Sequence, residues 1–505
     1  MREHTNNILK RFANMPTACL FCAITLTAFT APHLVHADYL KAIGYTALEK
    51  ELGPSMPTGS DVIISQIEAR SKGAYLPNDN YLEFSGKTLR NHTGTHAEIS
   101  FHANDVGKLL YGNTLGVAPS VSLVDVYEAI DWYGRVLLRS DNGFIGEPLI
   151  EPNRIQNHSW IANRQAGTPT EIAIKIIRLF DYTITRDSII SVVSVHNDKN
   201  EQVPDLLSHN YNAITVGKSS GDHSAGTTIF DGIGRSKPDL VAPFESTSFS
   251  VPVISGTAAL LLEHIDAHPK LAGGAKPEVM KAILMAGATK NEFDLWRQGN
   301  NMPLDPTYGA GELNIQNSYH ILDAGEQNPS RHEEVPIAGW DLHTIDPGKT
   351  NTYFFSAPED TVLIDFSAML VWNRIITDTD PGPTFETDAF LPDHDLALHD
   401  SDNFLTNAER VASRTDNDNL EHLFVRRLPA GQFMLSVTSS TGGEYGLAWR
   451  ASTVLLPRLS NLDLPPGDVD QIHDMTDGDS NPVMEHDPST IRRTPHSNRH
   501  TNTRT

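Results

Sequence analysis

Residues 188–198 read SIISVVSVHND, a stretch rich in β-branched residues that ends in polar side chains. From Ile189 to Val195 the run stays largely apolar instead of alternating, which indicates a strand buried on both faces. Just before it, residues 171–182 (EIAIKIIRLFDY) place Ile172, Ile176, Leu179 and Phe180 on one helical face. A helix that leads directly into a doubly buried strand is typical of an α/β domain.

The same alternation of short strands and helical patterns continues from about residue 60 to 325. It predicts βαβ units around a mostly parallel sheet flanked by helices, in a domain at 61–330 that follows an N-terminal extension at 38–60. Residues 336–452 read as strands without helices between them, separated by turn residues, which predicts an antiparallel β-sandwich. Residues 456–505 carry too few apolar side chains to fold alone and are predicted to be a disordered tail.

Length and charge limit the classes of function. A chain of 505 residues is longer than one hydrophobic core usually supports, so two domains are expected. The formal net charge of −24 repels phosphate backbones and anionic lipid headgroups. We therefore expect no nucleic-acid partner.

The N-terminus resembles an export signal. Within residues 1–37, a basic start is followed by the apolar run ACLFCAITLTAFTA (18–31) and by small residues that end at Ala37, a pattern typical of a signal peptide. The 14-residue run is too short to cross a bilayer comfortably. Cys19 and Cys22 both fall inside this segment. We therefore expect a secreted or periplasmic protein that has no disulfide and no membrane anchor after cleavage.

A serine precedes the most apolar helix of the sequence. Residues 245–264 (ESTSFSVPVISGTAALLLEH) run from a polar turn into this helix. That geometry would expose the Ser248 hydroxyl and aim backbone N–H groups and the positive helix end at an oxyanion. On this stretch alone, a plain helix N-cap is the competing interpretation.

The preceding residues favour the nucleophile. Residues 234–249 (GRSKPDLVAPFESTSF), followed by the apolar helix, resemble the nucleophile region of subtilisin-like serine peptidases, the subtilases. The resemblance extends over about 55–325 and includes YGAGELNIQNSYHIL (308–322). It implies the subtilisin-like α/β fold and a secreted serine endopeptidase that acts on proteins or peptides. The order acid, histidine, serine along the chain is also that of the family.

Three histidines compete for the role of general base. His92 and His96 lie in NHTGTHAEI (91–99), whose GTH is similar to the H-G-T-H of subtilases, and surface histidines are the alternative reading for both. His102 opens HANDVGKLLYGNTLGVAP, in which an apolar helical face is followed by GVAP as in the family's catalytic-histidine helix. We predict His102, although Ala103-Asn104 stands where the family usually has Gly-Thr.

The resemblance also implies an orienting acid and an oxyanion donor. DVIISQIEA (61–69) offers Glu68 at a strand end where subtilases usually carry aspartate; the alternative is a solvated strand-end carboxylate. Asn197 matches the strand-end asparagine that, with the Ser248 N–H, stabilises the tetrahedral oxyanion. A turn-forming asparagine is the alternative there.

A substrate-lining segment is expected at RIQNHSWIAN (154–163). By resemblance, Ser159 to Ile161 pair with the peptide backbone and Trp160 walls a side-chain pocket. The alternative interpretation is that Trp160 is a buried core residue.

One acidic region could in principle hold calcium. Because it lacks EF-hand spacing, a solvated acidic loop is the better prediction. We expect no cofactor for the chemistry, leave structural calcium open, and expect a monomer. The residues concerned are Asp378, Asp380, Glu386, Asp388, Asp393, Asp395, Asp400 and Asp402.

Two non-catalytic functions compete with the peptidase. The departures at Glu68 and Ala103-Asn104 leave open a secreted, catalytically inactive subtilase-like scaffold that binds proteins. Residues 336–451 could instead be an adhesive or carbohydrate-binding module supported by the α/β domain. Asn197 and the Ser248 turn favour the enzyme, because a scaffold has no need of an oxyanion donor beside a serine.

Overall fold

The computed structural model describes residues 36–455, apart from 95–96, 141–144, 165–166, 380–381 and 383. Nearly all of the expected signal peptide, both cysteines and the expected tail therefore lie outside the described residues. All described residues belong to one compact unit.

An α/β region comes first in the chain. Its strands are β1 (Ile63–Glu68), β2 (Ala74–Leu76), β3 (Thr88–Asn91), β4 (Glu98–Ile99), β5 (Leu123–Glu128), β6 (Ile155–His158), β7 (Ile190–Ser194), β8 (Ile214–Lys218), β9 (Gly226–Thr227), β10 (Ser236–Lys237) and β11 (Leu240–Ala242). Its longer helices are α1 (His36–Ala42), α2 (Tyr45–Leu52), α3 (Phe101–Tyr111), α4 (Thr170–Asp187), α5 (Thr247–Ala267), α6 (Pro277–Gly287) and α7 (Ile315–Asp323).

Seven of these strands form one parallel sheet, in the order β11-β8-β7-β6-β1-β5-β3. Successive side chains of a strand point to opposite faces. Ile64 accordingly joins the core that contains α5, whereas Ile67 joins the core that contains α4. The predicted α/β fold with a mostly parallel sheet is confirmed. The stretch Ile189–Val195 is fully buried, as its largely apolar pattern predicts.

The segment expected to be an extension is folded onto the first of these cores. Tyr39, Ile43, Tyr45 and Leu48 of α1, α2 and their connection are buried in the cluster that also holds Leu110 and Val117. Residues 38–60 thus contribute to the α/β core.

Antiparallel strands follow the α/β region. They are β12 (Gly339–Ile345), β13 (Lys349–Ala357), β14 (Thr361–Val371), β15 (Ile375–Asp378), β16 (Thr387–Phe390), β17 (His394–Asp402), β18 (Leu405–Ser413), β19 (Leu420–Leu428), β20 (Gly431–Ser439) and β21 (Gly443–Leu455). One sheet has the order β12-β21-β14-β19 and the other β13-β20-β17-β18. Their facing sides share a third core that includes Trp449, Phe355 and Phe366. The β-sandwich prediction is confirmed, whereas the predicted domain boundaries stay predictions.

The sandwich packs directly on the α/β region. Met369, Val371 and Ala448 of its first sheet are buried in the same cluster as Val279 and Ile283 of α6. At Gly446 the two backbones come so close that an added Cβ would lie 2.8 Å from the Val279 Cα. This apolar contact leaves no residue of α6 exposed.

A buried ion network lies beside this contact. Arg374, between β14 and β15, donates through Nε to Asp181 of α4 (2.9 Å) and also pairs with Asp231. Asp231 in turn accepts from Arg178 (3.0 Å). Because removing one partner would leave a buried charge unpaired, the network fixes how β15 sits on α4.

Helix α5 is long and apolar enough to cross a membrane, the one such helix among the described residues. However, 83% of its most apolar window is buried inside the structure. Its composition is therefore explained by its place in the core.

Candidate active site

The predicted site residues lie at one edge of the parallel sheet. Glu68 ends β1, Ser159 follows β6, Asn197 follows β7 and Ser248 lies in the first turn of α5. The carboxyl ends of parallel strands meet at this edge, where open α/β sheets form their binding crevices. The fold thus brings together residues that are up to 180 positions apart in the sequence.

Glu68 and His102 form a direct pair. Helix α3 begins at Phe101, with the Ser100 hydroxyl accepting the Ala103 N–H as an N-cap (3.2 Å). This start directs the His102 ring over the end of β1, where Nδ1 lies 2.8 Å from Glu68 Oε2. Glu68 is completely buried, whereas the His102 side chain keeps 27% of its surface exposed. One side of the ring is therefore held by a carboxylate while part of it stays open to a ligand.

The pKa of His102 is raised above its ordinary value. Burial acts to lower this pKa, but attraction to Glu68, the hydrogen bond with Glu68 and attraction to Asp105 outweigh it. The Nδ1–H is thereby committed to the carboxylate, which leaves Nε2 as the nitrogen able to accept a proton.

Ser248 is half-buried at the start of α5. Its Oγ donates to the Ser159 carbonyl (3.2 Å), and the Ser159 Oγ donates back to the Ser248 carbonyl (2.9 Å). The Phe249 ring is roughly parallel to the His102 ring, with 6.3 Å between centroids, so the start of α5 lies against the histidine. The Ser248 hydroxyl is thus engaged by Ser159 and is not hydrogen-bonded to His102.

Asn197 is exposed and anchored by its oxygen. Oδ1 accepts the Thr247 N–H (2.7 Å) and lies 3.1 Å from Thr247 Oγ1. The Nδ2 group has no partner among the residues that the structure describes, so both of its hydrogens are available to a ligand. The N–H of Ser248, expected to be the second donor, is instead engaged by the Ser246 Oγ at 3.3 Å.

The segment Ser159–Ile161 divides between the crevice and the core. Ser159 faces Ser248, as described, and Ile161 is half-buried. Trp160 is only 6% exposed and meets Trp132 edge-on at 6.4 Å, in the cluster beneath α4. The structure therefore favours the core reading of Trp160 over the pocket wall.

His92, one of the two other histidines considered as the base, pairs with a different carboxylate from His102. His92 Nε2 lies 2.8 Å from Asp125 Oδ1, and its ring stacks on Tyr127. His96 lies outside the described residues. Asp61, which the sequence places too early in the strand, precedes β1 and so lies at the opposite end from Glu68.

Carboxylates of the acidic region at 378–402 form separate ion pairs with basic side chains. Asp400 pairs with Arg410, Asp395 lies 3.8 Å from Arg414, and Glu386 lies 3.1 Å from Lys175. Within the described residues, no three histidine, cysteine, aspartate or glutamate side chains are grouped to hold a metal ion. Asp380 is not among these residues.

Sequence reasoning missed three buried polar residues next to the site. Gln66 and Tyr111 hydrogen-bond in series behind Glu68, and the Lys218 Nζ donates to the Asn197 carbonyl (3.2 Å). Gln66 could have been noticed, because a polar side chain two positions before Glu68 lies on the same face of an otherwise apolar strand.

Comparison with known proteins identifies a family for the middle of the chain. The family model described as "Subtilase family" matches residues 91–311. The chain contains a subtilase domain. It is accordingly a serine-type peptidase, and the family implies a protein or peptide substrate. The match includes His102, Asn197 and Ser248, but β1 and Glu68 precede it. No curated protein matches the chain.

Several solved structures are similar to the subtilase domain or to more of the chain. The prenylagaramide maturation protease PagA is 20% identical, covering 54% of this chain and 98% of its own, with a TM-score of 0.37. The serine protease of Aeromonas sobria is 13% identical over 78% of this chain and 88% of its own, also at 0.37. Fervidolysin from Fervidobacterium pennivorans is described as a keratinolytic enzyme related to subtilisin. It is 13% identical, covering 80% of this chain and 53% of its own, with a TM-score of 0.37.

Replacing Glu68 by glutamine should change both the rate and the pH dependence of the subtilase domain. His102 can accept a proton only when it is neutral. Wild-type activity should therefore rise with pH through an apparent pKa above 6.5, the ordinary value for histidine. Glu68→Gln removes the attraction that raises this pKa, while burial still lowers it. The acid limb should therefore move to lower pH, and the rate should fall about 10⁴-fold because the ring loses its fixed tautomer. Rates of peptide hydrolysis from pH 4 to 10 test this; an unmoved limb contradicts it.

Proposed function

We propose that this chain is an exported serine endopeptidase in which Ser248 is the nucleophile, His102 the general base and acid, and Glu68 the residue that orients His102. The observation that carries the proposal is the 2.8 Å contact between His102 Nδ1 and Glu68 Oε2, set against the first turn of α5. A buried carboxylate paired with a half-open imidazole, beside a serine at a helix N-terminus, is the arrangement that acyl transfer requires.

In the proposed first step, Ser248 Oγ leaves the Ser159 carbonyl and attacks the carbonyl carbon of the scissile peptide bond. His102 Nε2 takes the hydroxyl proton, and Glu68 stabilises the imidazolium that forms. As the tetrahedral intermediate collapses, His102 gives this proton to the leaving amine. The products of this step are a free amine and an acyl ester on Ser248.

Hydrolysis of the ester repeats these proton transfers with water. His102 removes a proton from a water molecule that attacks the ester, and then returns it to Ser248 Oγ. Throughout, negative charge develops on the substrate carbonyl oxygen. In this proposal the Asn197 Nδ2 group donates to that oxygen, which is supported by the bond that holds Asn197 Oδ1 at the Thr247 N–H. The Ser248 N–H supplies the second bond by leaving its long contact with Ser246 Oγ.

A non-catalytic scaffold is the alternative. It would account for the Ser248 hydroxyl resting on the Ser159 carbonyl instead of on His102. It gives no reason for a histidine–carboxylate pair at the sheet edge, so the enzyme is the better supported function.

An activated serine should react once with a fluorophosphonate. We expect the purified chain to gain the mass of one phosphonyl group on Ser248, because a hydroxyl whose proton is taken by His102 attacks phosphorus as it attacks a carbonyl and displaces fluoride. Intact mass before and after exposure measures this, and a peptide map locates the adduct.

The labelling experiment has matched controls. Ser248→Ala and His102→Ala should abolish the adduct, whereas His92→Ala, which alters the histidine paired with Asp125, should keep it. Folded wild-type protein that gains no mass would favour the scaffold. An adduct that persists in His102→Ala would overturn the assigned base.

Asn197→Ala should slow turnover without weakening substrate binding. Loss of a side-chain oxyanion donor typically lowers kcat by about 10²–10³-fold, because the charge it stabilises exists only in the transition state. Peptide hydrolysis gives kcat and KM separately. Asn200→Ala, in the same loop but bonded to Asp198, is the control and should leave kcat near wild type. Equal kcat in both variants would exclude Asn197 from the oxyanion site.

Export should remove the N-terminus. The apolar run at 18–31 and the small residues ending at Ala37 support cleavage before Asp38. When the full sequence is expressed in a bacterium, the protein should be recovered outside the cytoplasm. Its intact mass should equal that of residues 38–505. Ala37→Asp should block this processing, while Ala47→Asp, at an exposed position after the cleavage site, is the comparison for a general effect of charge and should be processed. Full-length protein confined to the cytoplasm would contradict export.

A further inference from the structure

Glu68 is supported from behind by a chain of buried polar side chains. Gln66, two residues earlier in β1, lies on the same face of the strand as Glu68. Gln66, Glu68 and Tyr111 are all completely buried. Burying an amide or a phenol is costly unless its polar atoms are hydrogen-bonded, so the contacts of these residues indicate what holds them there.

Every polar atom of the Gln66 side chain is used. Its Nε2 donates to Glu68 Oε1 (2.8 Å) and to the Ala103 carbonyl (3.1 Å), and its Oε1 accepts from the Tyr111 hydroxyl (2.6 Å). Glu68 Oε1 is thereby occupied by an amide, while Glu68 Oε2 is occupied by His102. Both oxygens of the carboxylate are fixed, and its plane is set relative to the imidazole.

The direction of the Gln66 amide is set by all three of its neighbours. With Tyr111 donating, the amide oxygen must face the phenol and the NH₂ group must face Glu68. A flipped amide would place Oε1 against two acceptors, Glu68 Oε1 and the Ala103 carbonyl. Burial raises the pKa of Tyr111 well above its usual range, so the phenol keeps the proton that this direction requires.

Helix α3 is shaped to admit this hydroxyl. Gly107 lies one turn before Tyr111, and a Cβ there would lie 2.5 Å from the Tyr111 hydroxyl oxygen. A glycine inside a helix is less stable than alanine by about 1 kcal/mol. The absent Cβ is the space into which the hydroxyl fits, so the helix gives up intrinsic stability at the position where the tyrosine needs room.

The chain also ties the two halves of the site together. Ala103, whose carbonyl Gln66 binds, is the residue after His102 in α3. One amide group therefore holds both the carboxylate at the end of β1 and the helical turn that carries the imidazole. A glutamate has more side-chain freedom to lose than an aspartate, so its fixation at both oxygens matters for the pairing.

We propose that Tyr111 and Gln66 are positioning residues: the Tyr111 hydroxyl completes the hydrogen bonding that fixes the Gln66 amide, and this amide holds Glu68 and the first turn of α3 in the arrangement that pairs Glu68 with His102. Neither residue touches the reacting atoms. The inference rests on the proposed function for its effect on turnover, but its effect on the Glu68–His102 pair is a separate property of the folded protein.

Three variants test the chain. Tyr111→Phe removes only the hydroxyl, Gly107→Ala displaces it, and Gln66→Leu removes the amide. Each should lower kcat about tenfold or more with KM unchanged, the size expected from weakening a hydrogen bond to a charged group. Tyr75→Phe is the control, because Tyr75 is equally buried but its hydroxyl donates to Asn91, away from Glu68.

The His102 pKa is the readout that a merely structural role would not move. NMR titration of protein with ¹⁵N-labelled histidine gives it directly, with the signal assigned by its loss in His102→Gln. When Glu68 is no longer held, the attraction that raises this pKa weakens, so the pKa should fall in the three variants and stay at the wild-type value in Tyr75→Phe.

The outcomes are separable. Wild-type kcat and wild-type His102 pKa in folded Tyr111→Phe and Gly107→Ala would overturn the proposal, even if both are less stable than Tyr75→Phe. Should one of these two fail to fold, the other decides. If wild-type protein gains no phosphonate adduct, the proposed function fails, yet a lowered His102 pKa in the variants would still support the positioning chain.

Discussion

A buried carboxylate at the end of β1, an interior strand of the parallel sheet, is the constraint on which this site depends. Glu68 is removed from water on the innermost part of the sheet edge, where an unpaired charge is not tolerated. His102 binds one oxygen of this carboxylate and Gln66 binds the other. Gln66 lies in β1 with Glu68, whereas His102 lies in α3, so these bonds fix the position of β1 relative to the start of α3.

Helix α5 provides the second part of the arrangement. Its first turn carries Ser248 and Phe249 at the crevice, whereas the remaining turns are almost entirely buried between the sheet and neighbouring helices. Hydrogen bonds from Ser159 to the Ser248 carbonyl and from Ser255 to Asn157 join the helix to the end of β6. A reactive group at the end of a rigidly packed helix is held more precisely than one on a loop.

The β-sandwich also stabilises the α/β region, through its contacts with α6 and α4. It covers α6 with apolar residues and places Arg374 among the carboxylates of Asp181 and Asp231. These contacts make the strands after residue 339 part of the core of the α/β region, not an appendage joined by a linker. We expect unfolding of the two parts to be coupled, since cores that share buried residues lose them together.

The sequence by itself determined the class of fold and most of the candidate site residues. Local periodicity distinguishes buried parallel strands from helices, and strand-end positions such as Glu68 and Asn197 meet at one sheet edge whatever the loops between them do. It did not decide between His102 and His92 by spacing alone, nor between pocket and core for Trp160. Only the tertiary structure shows that His102 pairs with Glu68 and His92 with Asp125, that Trp160 is buried, and how the Tyr111–Gln66 chain and the sandwich pack. The physical reason is that hydrogen bonding and close packing act through short distances between residues far apart in the chain, which periodicity does not encode.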